Sequence, residues 1–187
     1  KFNMLEHHLI SFDATNLFTN VPLEETINIV LNELYADKRH CSDSTDQTTP
    51  HKEMKKKRSC PKCTACLDRA DMKWLLDTAT SRTHFIFNGQ LYSQTNGVAM
   101  GSPIGPLLAD IFLVHMEKKL MHRLEDSGVI YWRRYVDDVF AIIKNDTNVD
   151  QLKNILNSFH ASIQFTTELE NNQSIAFLDI AIRRLSN

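Results

Sequence analysis

The stretch VIYWRRYVDDVFAII, residues 129–143, sets two adjacent carboxylates, Asp137 and Asp138, inside a run that is otherwise almost entirely strand-forming. Tyr135 and Val136 precede the pair and Val139, Phe140, Ala141, Ile142 and Ile143 follow it, which places the acids at the tip of a partly buried β-hairpin. A two-residue turn selected for its backbone would carry Asn-Gly, as this chain does at Asn88-Gly89, whereas Asp-Asp supplies no glycine. Two carboxylates in contact repel by about 1 kcal/mol in water, and by more where water is partly excluded. A fold that holds them there must bring positive charge to the same place.

A second acid points to the form of that charge. The segment HHLISFDATNLF reads as a buried strand through Leu9, Ile10 and Phe12 that delivers Asp13 to its C-terminal end. A helix follows, with Pro22 at its start, Glu24 and Glu25 in the first turn, and Ile27, Val30, Leu31 and Leu34 on one face as far as Tyr35. ADMKWLLDTATSR resumes a helix, THFIFNGQLYSQ reads as a hairpin on Asn88-Gly89, and NGVAMGSPIGP is a turn leading into a long amphipathic helix. After the Asp-Asp hairpin come a helix from Val149 to Phe159 and two strands, SIQFTTEL and SIAFLDIAI, joined by the polar turn ENNQ. This order predicts an α+β fold, a mostly antiparallel sheet with helices on one face, rather than strict β-α alternation. If the strands ending at Asp13 and flanking Asp137-Asp138 are neighbours, three acids meet at one edge. That is a site for hard divalent cations, since Mg²⁺ is held by one or two carboxylates plus substrate phosphates, and a pair of such ions serves phosphoryl transfer.

Charge is uneven along the 187 residues. The net charge is −2, but residues 36–70 carry nine Lys/Arg against five Asp/Glu, so a basic insert interrupts an acidic remainder. All four cysteines, Cys41, Cys60, Cys63 and Cys66, lie in that insert. The run Cys60, Cys63, Cys66, with Cys41, His40 or His51 as a fourth ligand, fits zinc only in part, because zinc sites normally space two ligand pairs a dozen or more residues apart. The alternative is an insert without metal. Lys55 to Arg58 suit nucleic-acid phosphates or a nuclear address, and equally a solvated charge cluster. Nothing resembles a signal peptide or a membrane-spanning run, so the expectation is an intracellular protein without a membrane partner.

Four segments together resemble a family. SFDATNLFTNVP, NGVAMGSPIGPLLADIF, RRYVDDVF and IAFLDIAI are similar to motifs A, B and C and a following palm strand of reverse transcriptases, most closely those of Penelope-like retroelements and more distantly telomerases. The resemblance runs from Leu9 to Ile182 in the family's order, apart from the insert. It implies a polymerase palm with part of the fingers and an RNA-directed DNA polymerase that joins deoxynucleotides to a primer 3′-hydroxyl on an RNA template. By position, Asp13, Asp137 and Asp138 match the catalytic acids, with Asp138 the less critical. Asp13, the Ala14 carbonyl, Asp137 and Asp138 would hold two Mg²⁺ ions, or Mn²⁺. Phe18 matches the gate against a ribose 2′-hydroxyl, and Asn96, Gly97, Gly101, Ser102 and Pro103 match the turn against template and nucleotide. Asn96 departs from the Gln that many relatives carry there.

The resemblance also implies an excised piece, residues 1–187 being a palm fragment, with most of the fingers, the thumb and any endonuclease domain elsewhere in the parent chain; the basic run makes the nucleus the expected location. Two rivals stand beside it. A non-catalytic nucleic-acid-binding remnant would keep the palm but lose an acid, and all three are present. A phosphoacceptor receiver domain would need β-α alternation around a parallel sheet, against which the hairpins argue.

Overall fold

The computed structural model describes residues 6–35, 68–81 and 83–185. Among these, the main sheet has four strands in the order β4-β5-β1-β6, every neighbouring pair antiparallel. They are β1 (His7–Ala14), β4 (Val129–Tyr135), β5 (Asp138–Lys144) and β6 (Phe165–Leu169). Two further hairpins stand apart as two-stranded sheets, β2 (His84–Phe87) with β3 (Gln90–Ser93), and β7 (Ser174–Phe177) with β8 (Ile180–Arg183).

The period of two in β1 decides which way the sheet faces. Ile10, Phe12 and Ala14 point into the main core and Leu9 into a smaller one on the opposite side. The main core joins the sheet to helices α2 (Leu23–Tyr35), α4 (Gly105–Asp126) and α5 (Val149–Asn157). In α4, Leu108, Phe112, Met116, Leu120 and Leu124 are buried at helical spacing, and Pro106 sits in the first turn, where its missing N–H costs nothing. Asn148 caps α5 by accepting from the Gln151 N–H at 3.1 Å. Helix α3 (Arg69–Ser81) leans on α2, tied by Arg69, which donates to the Leu31 carbonyl at 3.1 Å and to Asn32 Oδ1 at 2.9 Å. Its first two residues, Arg69 and Ala70, thus fall inside the span 36–70 read as insert.

The α+β reading, with helices on one face of an antiparallel sheet, is what the structure shows. Three local expectations change. A short helix α1 (Leu17–Asn20) follows β1, a four-residue element too brief for a periodic signal. SIAFLDIAI is two strands rather than one, because the chain reverses at Leu178-Asp179, both at positive φ (48° and 59°), with neither glycine nor asparagine to announce it. The resulting hairpin covers the far side of the main sheet, where Ile175 and Ile182 pack with Leu9, Phe140 and Ile142. The third change concerns the acidic turn itself. Among the described residues no helix is long and apolar enough to cross a membrane.

Candidate active site

β1 and β5 are the two central strands of the sheet, and their register sets Asp13 directly opposite Asp138. The Ala14 N–H donates to the Asp137 carbonyl at 3.2 Å, so Asp13 and Asp138 form the adjacent pair that shares no backbone hydrogen bond. Such pairs lie about 4.5 Å apart at Cα with both side chains on one face. The face is the one turned away from the helices, since Ile10, Phe12 and Val139 point to the main core. A Cα separation this short, on central strands, fixes the two carboxylates far more tightly than loop residues could be fixed.

The turn is displaced by one residue from the Asp-Asp expectation. Tyr135 pairs with Asp138, so the two turn residues are Val136 and Asp137, and Asp138 is the first residue of β5. Val136 lies at φ 56° while Asp137 does not share the positive φ, the pattern of a turn that favours glycine at its first position. A β-branched residue there is strained by about 1–3 kcal/mol and persists only when its surroundings hold it. Positive charge does come close, as Arg134 Nη1 donates to the Val136 carbonyl at 3.0 Å. That guanidinium, however, is already paired with Asp110 and Glu117, so the cluster of three is itself net negative.

The acids feel one another. Burial raises the Asp13 carboxyl above the ordinary carboxylate value and the charge of Asp137 adds to it. Asp138 is raised by burial and then by Asp137, Asp13 and Asp179. Asp179, at the unexpected β7–β8 turn, lies in what the sequence presents as a single strand and so was not read as part of the site. With Asp13, Asp138, Thr166 and Glu168 it lines a cleft of about 540 Å³ on the acidic face.

Among the described residues, no three His, Cys, Asp or Glu side chains gather to hold a metal ion unaided. A closed cage of protein ligands is therefore not what these residues build. Mg²⁺ asks for less, one or two carboxylates with water and substrate phosphates completing the octahedron, and the facing pair Asp13 and Asp138 beside Asp137 fits that requirement in donor chemistry and charge. The zinc candidates Cys41, Cys60, Cys63 and Cys66 lie outside the described residues.

The second group of expected residues packs against the first. The Val98 N–H donates to the Phe18 carbonyl at 2.7 Å, and Gly97 lies so close that an added Cβ would sit 2.3 Å from that oxygen and 2.5 Å from Thr19 backbone atoms. At φ 69° as well, position 97 admits only glycine. The sequence suggested close approach of a ligand there; the partner in contact is the chain's own backbone. Phe18 is half-buried against the main core. Asn96 is exposed, its carbonyl accepting from Gln94 Nε2 at 2.8 Å. Gly101 and Pro103 are exposed and Ser102 half-buried, in a turn closed by Ser102 N–H to the Ala99 carbonyl at 3.0 Å and Gly105 N–H to the Ser102 carbonyl at 3.1 Å. A Cβ at Gly101 would meet nothing within 4 Å, so protein packing does not demand glycine there.

With this geometry in view, residues 3–174 match the family model described as reverse transcriptase (RNA-dependent DNA polymerase). The chain belongs to the reverse transcriptase family. No curated protein matches it. Among solved structures, apo telomerase from Candida tropicalis, truncated from its C-terminal domain, is similar at a TM-score of 0.58 and 16% identity, over 95% of this chain and 34% of that one. Telomerase from Candida albicans in complex with a fragment of telomeric RNA is similar at a TM-score of 0.64 and 14% identity, over 95% and 30%. At such identities the likeness is one of fold, and this reverse transcriptase domain spans about a third of the telomerase chains it resembles. It supports the palm reading, because the shared fold includes the sheet that pairs Asp13 with Asp138.

Proposed function

We propose that this chain is the palm, with part of the fingers, of an RNA-directed DNA polymerase, and that Asp13, Asp137 and Asp138 are its catalytic acids. The observation that carries the reading is the facing pair Asp13 and Asp138 on adjacent central strands, with Asp137 in the adjoining turn, in a chain of the reverse transcriptase family. Asp13, the Ala14 carbonyl, Asp137 and Asp138 would hold the metals. Two bound Mg²⁺ ions, or Mn²⁺, supply the charge that lowers the barrier to attack by a primer 3′-hydroxyl on the α-phosphate of a deoxynucleotide. The protein's part is placement. The central strands keep the carboxylates in register, Phe18 beside the Gly97 contact blocks a ribose 2′-hydroxyl, and the open side of Gly101, with Asn96, Ser102 and Pro103, leaves room for nucleotide and template backbone.

The partners in this reading are an RNA template, a DNA primer and deoxynucleotides. The remaining fingers, a thumb and any endonuclease domain would come from a longer parent chain. The wording of RRYVDDVF and NGVAMGSPIGPLLADIF supports a Penelope-like element as the source, and the basic run Lys55 to Arg58 supports work in the nucleus. Primer extension on an RNA template with Mg²⁺, using the parent polypeptide and its Asp137→Asn, Asp138→Asn variant, tests the assignment. Extension by the parent alone is the expected result; no extension by either leaves the palm as a nucleic-acid-binding remnant, and equal extension by both removes the acids from catalysis.

A further inference from the structure

The sequence RRY places two arginines before the acidic turn, and only one of them faces the helices. Arg134 pairs across the sheet with Val139, which lies in the main core, so its side chain runs beneath the sheet, where it is 8% exposed. There it makes a complete fork. Nε donates to Glu117 Oε1 at 2.9 Å and Nη2 to Glu117 Oε2 at 3.2 Å. Nη1 donates to Asp110 Oδ1 at 2.9 Å and to the Val136 carbonyl at 3.0 Å. Asp110 and Glu117 are seven residues apart on α4, two turns of one helix face, and Glu117 is held in place by Trp132, whose Nε1 donates to Oε1 at 2.9 Å. The one backbone oxygen in this set belongs to the strained residue just before Asp137.

We propose that Arg134 is a positioning residue: by gripping the Val136 carbonyl from an anchor on α4, it holds the left-handed turn that sets the Asp137 carboxylate beside Asp13. Arg134 lies on the opposite side of the sheet from Asp13 and Asp138, so it reaches the metal site through the turn alone. Lysine in its place keeps the charge but cannot span Glu117, Asp110 and the carbonyl together. The value of the grip rests on the metal-site reading above, while the grip itself does not.

The experiment has two arms on the 187-residue chain. Backbone chemical shifts of Val136, which report its φ, are measured in the wild type, Arg134→Lys, Val136→Gly and the double variant. Mn²⁺ affinity is measured on the same proteins, with Asp13→Asn as the control for the site. Arg134→Lys is expected to shift Val136 out of the left-handed region and weaken Mn²⁺ binding about tenfold or more while the melting temperature changes little. Val136→Gly in the same chain restores affinity, since glycine takes positive φ without a grip; a residue that merely packed the core would not be rescued in this way. Unchanged Val136 shifts in Arg134→Lys, or weakened binding that Val136→Gly fails to restore, overturns the proposal. If the wild type and Asp13→Asn bind Mn²⁺ equally, the metal-site reading fails instead, and the shifts still decide on the grip.

Discussion

Two hairpins in this molecule solve the same turn problem in opposite ways. β2 and β3 reverse on Asn88-Gly89, at φ 50° and 74°, residues that take a left-handed backbone with little or no cost, and both strands are exposed along their whole length. β4 and β5 reverse on Val136-Asp137, with a β-branched residue at φ 56°, while β5 runs through the centre of the sheet. The first turn is made by its own two residues. The second is made by its surroundings, the strand pairing on one side and the Arg134 fork below, so the turn positions are released to carry charge. Where a carboxylate must be placed, tertiary ties stand in for local turn chemistry.

The difference is broken most severely by exchanging charge for geometry. Asp137→Asn keeps the size of the side chain and is expected to lower primer extension by the parent polymerase about 10³-fold or more, while Asn88→Asp, which keeps a favoured turn pair, leaves it unchanged. Comparable losses in both variants would show that the two turns do not differ in kind. Gly97→Ala comes next. Its Cβ would lie 2.3 Å from the Phe18 carbonyl at a positive φ, so a loss of about 2–4 kcal/mol and a fall of several degrees in melting temperature are expected by calorimetry. Gly101→Ala, with open space around it, should change the melting temperature hardly at all.

The same contrast explains what could be read in advance. The helices other than α1 and the strands of the main sheet follow from apolar periodicity, and Asn88-Gly89 from turn chemistry, because each of those signals is local. The facing of Asp13 and Asp138 needed an assumption that their strands are neighbours, which only the topology supplies. The reversal at Leu178-Asp179 carries only a weak local signal, since Asp179 tolerates positive φ but Leu178 does not, and the hairpin is held by the packing of Ile175 and Ile182 under the sheet. The one-residue shift of the acidic turn has the same origin. The Arg134 fork was half visible: Asp110 and Glu117 share a helix face and Trp132 and Arg134 a strand face, but nothing in the sequence says that these faces meet. The role of Gly97 was legible as a need for close approach, not as approach to Phe18 and Thr19.

A milder test compares strain directly. Gly89→Ala forces a Cβ into φ 74° and should cost about 1 kcal/mol, although nothing lies within 4 Å to clash with it. Val136→Gly relieves a strained residue but loosens the unfolded chain, two effects of about 1 kcal/mol and opposite sign. Denaturant unfolding should therefore find Val136→Gly within about 0.5 kcal/mol of wild type, a result no ordinary valine in a hairpin would give. A loss of about 2 kcal/mol or more would mean that Val136 is not strained.

The smallest effect lies in the acids' own stability. Both Asp13 and Asp138 have carboxyls raised above the ordinary value of 3.8, by burial first and by neighbouring aspartates second. An acid whose folded pKa exceeds its unfolded one favours the fold below the unfolded pKa and loses that advantage as pH rises through the folded pKa. At neutral pH the ionised pair is thus a net cost to the chain, one that the Asn88-Gly89 turn does not bear. Asp138→Asn should raise the melting temperature by a small amount at pH 7, and the gain should shrink as pH falls toward the ordinary carboxylate range. Mg²⁺ should act in the same direction as protons, raising the wild-type melting temperature at pH 7 and the Asp138→Asn value less. The two treatments compete for the same carboxylates, so added Mg²⁺ should stabilise least where acid has already done so. A Mg²⁺ response of equal size in both proteins, or a gain from Asp138→Asn that does not vary with pH, would place the repulsion elsewhere than on the β1–β5 pair.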